Sequence, residues 1–190
     1  MPFRRLLIPL IIVTGIALAG LPLVLKSQSS SASGTPQLKS PPRLTGGGTP
    51  FVDSFDDLNN QRWNVSHGWR NGKWTVNDWR RSQARFDGSL KMMLEPRRTN
   101  LANVVGAEVL SDKNYGHGYF EVRMRAAHAS GTVSGFFTYT GPPFGKPWDE
   151  IDIEILGAKP REVMFTYYRD GKKKEHIHKL DFDATKETHT

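Results

Sequence analysis

Glu150, Asp152 and Glu154 stand at alternate positions in the stretch Trp148-Asp149-Glu150-Ile151-Asp152-Ile153-Glu154-Ile155-Leu156-Gly157. On an extended strand alternate side chains share a face. Three carboxylates would therefore line one side, and Ile151, Ile153 and Ile155 the other. Burial of the isoleucines pins the register, because a slip of one residue would carry the acids into the core. Acids crowded side by side repel one another, and no Lys or Thr between them relieves it.

Three kinds of chemistry compete for such a row. It could be a solvated strand face whose acids pair with arginines nearby, Arg123 and Arg125 being candidates. It could hold a hard cation through oxygen ligands, but positions i, i+2 and i+4 spread along about 13 Å at roughly 3.3 Å per residue and do not converge on one ion. Hydrolysis of a glycosidic bond fits better. With retention of configuration it needs a nucleophilic carboxylate and a carboxylic acid about 5–5.5 Å apart, and on the concave side of a curved sheet Glu150 and Glu154 can lean together. Asp152 between them would keep a negative field at Glu154, raising its pKa so that it holds a proton. Hydrogen-bonded to Glu150, the same carboxyl would orient the nucleophile. No metal or cofactor is required.

The elements that must position these groups read as strands. Residues 51–190 show short alternating segments punctuated by Gly, Asn, Asp and Pro, with no 3.6-residue apolar stripe. Residues 84–96 form a hairpin around Asp87-Gly88. Residues 119–125 alternate Phe120, Val122 and Met124 with Glu121, Arg123 and Arg125, a strand with one buried face. Residues 133–140 are a further strand, followed by a Pro- and Gly-rich loop into 150–156. Residues 163–169 and 175–182 pair around Asp170-Gly171, with Lys172, Lys173 and Lys174 on a solvated hairpin edge that discourages further pairing. The expected fold is all-β, a sandwich of antiparallel strands.

Composition bounds the rest. A chain of 190 residues supports one domain with a sizeable core. Its formal charge of +7 is misleading: five of the 26 basic residues lie in residues 1–50, which hold no acid, so 21 face 19 acids in residues 51–190. A phosphate-tracking patch, and with it nucleic acid as a partner, is not indicated. The five Trp could fill a core or stack on sugar faces. Without Cys there are no disulfides or thiolate metal sites. Residues 1–26 carry a basic head (Arg4, Arg5), an apolar run from Leu6 to Leu25 and the small-x-small pattern Ala17-Leu18-Ala19, which reads as a signal peptide or an uncleaved membrane anchor. Either places the remainder outside the cytoplasm, extracellular, periplasmic or anchored facing outward, with membrane contact only through residues 6–25. Residues 27–50, rich in Ser, Gly, Pro and Thr, read as a flexible linker. Structure is expected from Phe51 onward.

At its carboxylate strand the chain resembles glycoside hydrolase family 16, and within it the bacterial endo-β-1,3-1,4-glucanases (lichenases). The resemblance rests on Gly135-Phe136-Phe137-Thr138-Tyr139-Thr140-Gly141-Pro142 followed by Trp148-Asp149-Glu150-Ile151-Asp152-Ile153-Glu154, and it extends over nearly all of residues 51–190. It implies a curved jelly-roll sandwich, concanavalin A-like, with a β-glucan lying in the concave cleft of a monomer. It also implies Glu150 as nucleophile, Glu154 as acid/base and Asp152 as the assisting carboxylate. Trp69 and Asn71 in Trp69-Arg70-Asn71-Gly72 match sugar-binding positions, as do Glu108, Phe137, Tyr139, Trp148 and Tyr168. A structural Ca²⁺ is a family feature whose ligands would lie partly beyond Thr190.

The sequence departs from the lichenase pattern at four positions. Asn77 and Gly106 replace the usual Cys pair, Leu110 stands for an Arg, and Thr166 for an Asn near the sugar subsites. These leave the chemistry intact but keep open a related exopolysaccharide depolymerase, of the succinoglycan-cleaving kind, and a non-catalytic carbohydrate-binding jelly roll. The last residues, 181–190, resemble the family segment that precedes several more strands, so the sandwich is expected to be incomplete at its C-terminal side.

Overall fold

Alternation and turn dipeptides build ladders here, not helices. The computed structural model describes residues 50–71, 75–116 and 118–190, and the backbone course of residues 8–17. Among them the regular elements are strands and two single 3₁₀ turns, Arg81–Gln83 and Pro142–Phe144. The strands are β1 (Ile8–Ala17), β2 (Trp63–Val65), β3 (Asn77–Trp79), β4 (Ala84–Phe86), β5 (Leu90–Met92), β6 (Glu95–Pro96), β7 (Val104–Tyr115), β8 (Thr132–Thr140), β9 (Asp149–Leu156), β10 (Glu162–Arg169) and β11 (Lys172–Lys179).

A nine-stranded sheet runs in the order β11-β10-β9-β8-β1-β7-β2, with β3 and β6 also on β7. All its pairs are antiparallel except β3 with β7. That parallel ladder joins Asn77 to Val104 and Trp79 to Gly106, so backbone pairing ties together the two segments where lichenases carry their Cys pair. β4 and β5 form the expected hairpin, with Gly88 at φ 76° in its turn. It lies over the main core of Trp63, Val65, Val109 and Phe136, with Phe55, Phe86 and Met92 packed against them. A second cluster gathers Ala126, Ile155, Val163 and Ala184. The all-β sandwich read from the sequence is the fold observed.

β10 and β11 pair in full register from Glu162↔Lys179 to Arg169↔Lys172. Their turn is Asp170-Gly171, with φ at 50° and 73°. Positive φ at both central residues is what a two-residue turn needs to match the twist of its strands. The second strand therefore starts at Lys172, three residues before the predicted Glu175. β11 forms the outer edge of the sheet, exposed throughout.

One expectation is corrected. Residues 119–125 keep the alternation, and Phe120 and Val122 pack against the main core, but they join no ladder beyond one bridge, Met124↔His189. Alternation reports a half-buried surface, and here the segment is a layer laid over the sheet. The apolar run read as an export or anchor segment supplies, over residues 8–17, strand β1 between β7 and β8. A continuous apolar run suits a central strand as well as a span. No helix among the described residues is long and apolar enough to cross a membrane. The rest of the 1–26 segment, and the linker up to residue 49, lie outside the described residues.

Candidate active site

Strand register assembles one face of the sheet. Tyr139, Glu150, Tyr168 and Lys173 form one row across β8, β9, β10 and β11. Phe137, Asp152, Thr166 and Glu175 form the next, and Gly135, Glu154, Met164 and Ile177 the third. The three carboxylates thus share a face, as the period-two reading requires. On the opposite face Ile155 is buried and Ile153 packs against both larger core clusters, whereas Ile151 is 57% exposed. The isoleucines anchor the far end of the strand more firmly than its start.

The start is held by the hairpin turn instead. The Asp170 N–H donates to Asp149 Oδ1 at 2.8 Å, and the Gly171 N–H donates to the Trp148 carbonyl at 2.8 Å. Trp148 then stacks on Tyr168, with centroids 4.5 Å apart and planes at 15°. Its indole Nε1 donates to Glu150 Oε2 at 2.6 Å.

All three carboxyls lie high of the ordinary carboxylate range, chiefly because burial disfavours the charged form. At Glu150 that is opposed by hydrogen bonds from Trp148 and Asp152. Asp152, 8% exposed, is pushed up to about 8 by burial and then by the charges of Glu150 and Glu154. It therefore carries its proton at neutral pH and donates it in a hydrogen bond to Glu150. The negative field at Glu154 comes from Glu150, with a smaller push from Glu175, and Lys173 opposes it. Asp152 thus stands as a neutral hydrogen-bond donor to Glu150, and burial first, then the charge of Glu150, pushes Glu154 up.

The binding positions divide into two groups. Phe137 and Tyr139 share a cluster with Trp79 and Leu110, and Tyr139 meets Phe144 edge-on at 6.0 Å. Trp148 and Tyr168 form the stack already described. Farther along, Trp69 is 42% exposed and lies 6.3 Å from Trp79, and Asn71 Oδ1 accepts from Trp79 Nε1 at 2.8 Å. Glu108 is the exception. It shares the register row of Glu154 through β1, yet it is 2% exposed, and its carboxyl takes the Ser66 hydroxyl. Burial pushes it up to about 7. β1 lies beside β7 at this point, so the burial is that of a chain still carrying residues 8–17. Among the described residues no group of three His, Asp or Glu is placed to hold a metal ion.

Sequence reasoning missed Asp149, Asp170 and Gly171 as the clamp behind Trp148, and Lys173 and Glu175 as charges facing the carboxylates. The parity of Lys173 and Glu175 on β11 was legible, but which face they share depends on the two-residue turn.

Comparisons with known proteins agree with this geometry. The family model "Glycosyl hydrolases family 16" matches residues 71–190. The chain is 40% identical to a beta-glucanase of Acetivibrio thermocellus over 144 residues, covering 75% of this chain and 43% of that protein. It is also 40% identical to a beta-glucanase of Bacillus subtilis, covering 75% and 60%. It thus spans about half the length of the curated relatives it matches. A prokaryotic beta-1,3-1,4-glucanase (lichenase) from a mouse hindgut metagenome superposes with TM-score 0.70 at 38% identity, covering 72% of this chain and 65% of that one. The Bacillus licheniformis beta-glucanase gives 0.69 at 37%, covering 77% and 68%. The chain belongs to glycosyl hydrolases family 16.

Proposed function

We propose that the protein is an endo-acting β-glucan hydrolase that cleaves β-1,3-1,4-glucan-type polysaccharide with retention of configuration. The observation that carries this reading is the single face shared by Glu150, Asp152 and Glu154, with Trp148 bonded to Glu150 and stacked on Tyr168. Donors from Trp148 and Asp152 draw Glu150 down against the push of burial, whereas burial and the charge of Glu150 both push Glu154 up. Opposed influences at one carboxyl and concerted ones at the other suit a nucleophile and an acid. Glu150 attacks the anomeric carbon while Glu154 gives its proton to the departing oxygen, leaving a glycosyl ester on Glu150. Glu154, now a carboxylate, takes a proton from water. The hydroxide adds to the anomeric carbon and releases Glu150.

The test is the full chain on lichenan beside Glu150→Gln and Glu154→Gln variants. Loss of about 10²–10⁴-fold or more in each supports the assignment, and equal activity in the variants removes it. Leu110 beside Phe137 and Tyr139, and Thr166 beside Asp152, favour a second reading, depolymerisation of a substituted exopolysaccharide; succinoglycan and laminarin in the same panel separate the two. Glycan binding with no turnover would mark a carbohydrate-binding jelly roll.

We also infer export, from the basic head, apolar run and Ala17-Leu18-Ala19 pattern of the N-terminus. Strand β1 then belongs to the uncleaved chain. The carboxylate strand pairs with β8 and β10 and not with β1, so cleavage leaves its ladder whole. Sequencing the N-terminus of protein recovered from the medium should find residue 20 first; a chain still starting upstream of Ile8 would contradict cleavage.

A further inference from the structure

β11 carries a charge pair toward the carboxylates. Lys173 stands in the row of Glu150 and Tyr168, and Glu175 in the row of Asp152 and Thr166. The two are joined at 2.5 Å, Nζ to Oε2, and both side chains remain substantially exposed. The other lysines of the run, Lys172 and Lys174, alternate to the opposite face, in register with Arg169 and Tyr167.

We propose that Lys173 and Glu175 are a positioning pair for Glu154, a cation and an anion of opposite effect set two strands away on the catalytic face. The proposal rests on the reading of Glu154 as the acid/base. Adjacent strands are about 4.8 Å apart, so a lysine two strands away reaches back toward the carboxylates along its four-carbon stem. The groups facing Glu154 can be named. Glu150 and Asp152 lie on its own strand. β8 offers uncharged Gly135 and Phe137, and β10 offers Met164, Thr166 and, one row on, Tyr168. At the far end Lys159 and Glu162 line a shallow pocket with Glu154, and Glu162 is already engaged by Lys159 and Lys179. On β11 the charges are Lys173 and Glu175. Lys173 pulls the titrations of Asp152 and Glu154 down, while Glu175 pushes that of Glu154 up. An acid/base must lose and regain its proton in one cycle. An exposed cation–anion pair on the same face sets the field in which it does so.

The test is the titration of Glu154 followed by carboxyl-carbon NMR in the full chain, for the wild type, Lys173→Met, Glu175→Gln and the double variant. Both sites are exposed, so the fold should tolerate the changes. The midpoint should rise in Lys173→Met and fall in Glu175→Gln, each by roughly half a pH unit, the size of an exposed pair interaction. It should return near the wild-type value in the double variant, and 1 M salt should largely erase the differences. Lys173→Arg should leave it in place. No displacement, or displacement in one direction for both single variants, overturns the pair. NMR displacements in a chain with no turnover of any β-glucan would leave the pair standing and remove the hydrolase reading instead.

Discussion

The indole N–H of Trp148 donates to Oε2 of Glu150 at 2.6 Å while its ring lies flat against Tyr168 at 4.5 Å. One side chain thus does two things: it donates to the Glu150 carboxyl and it offers the edge of an aromatic platform. The hydrogen bond lowers the pKa of Glu150 against the opposing push of burial.

Trp148→Phe keeps most of the stack and deletes the donor. A hydrogen bond to a charged group contributes about 1.5–3 kcal/mol, so kcat should fall roughly ten- to a hundredfold. Activity needs Glu150 ionised, and losing the donor raises its pKa. The acidic limb of the pH–rate profile should therefore move to higher pH. A lower kcat with the limb unmoved would show that the ring matters only for packing.

Asp152, at about 8, is a hydrogen-bond donor to Glu150 at neutral pH. Asp152→Asn keeps an N–H in that place, whereas Asp152→Ala keeps none. At pH 6 to 7 the Asn variant should retain most of the activity, and the Ala variant should lose roughly tenfold or more, the value of one hydrogen bond to a charge. Equal losses in the two would argue that the carboxylate form is what the site uses.

How much of this was legible beforehand follows from where the physics is local. Period two alone placed Glu150, Asp152 and Glu154 on one face, and Asp170-Gly171 announced its hairpin because few residues accept positive φ. β7 escaped notice although it is twelve residues long. It is paired on both sides and buried on both faces over much of its length, so Gly106, Glu108 and Ser111 broke the alternation expected of a half-exposed strand. Glu108 shares the row of Glu154 as its parity allows, yet it is buried, because parity fixes a face and not how deeply that face is covered. The state of Asp152 required its burial and its neighbours, neither of which a spacing contains.

Glu108 links the fold to pH. Its folded value near 7 stands above the ordinary 4.5 because of burial, so the native state holds a proton that the unfolded chain has released. That contribution is fully present below about pH 4.5 and is lost as pH rises through about 7. The full chain, with β1 in place, should lose stability between those values. Glu108→Gln should flatten the loss and gain on the order of 3 kcal/mol at pH 8 relative to pH 4. Urea midpoints across that range decide it; parallel curves for the two proteins would place the titration elsewhere.

Gly157 closes β9 against the 129–132 loop. A Cβ there would lie 2.1 Å from the Ala129 carbonyl and 2.3 Å from Thr132 Oγ1, the first of these backbone. Gly157→Ala should destabilise by about 1–3 kcal/mol or more, measured by thermal melts. Adding a Cβ at Gly116, where nothing lies within 4 Å, should cost far less.

The central claim is the division of labour between Glu150 and Glu154. The direct measurement is to expose the full chain to a 2-fluoro-substituted gluco-oligosaccharide bearing a good leaving group, which slows breakdown of the glycosyl ester, and to locate the added sugar by fragmenting the peptides. The sugar is predicted on Glu150. Sugar on Glu154, or a chain that turns lichenan over with inversion of configuration and never carries a label, would contradict the account.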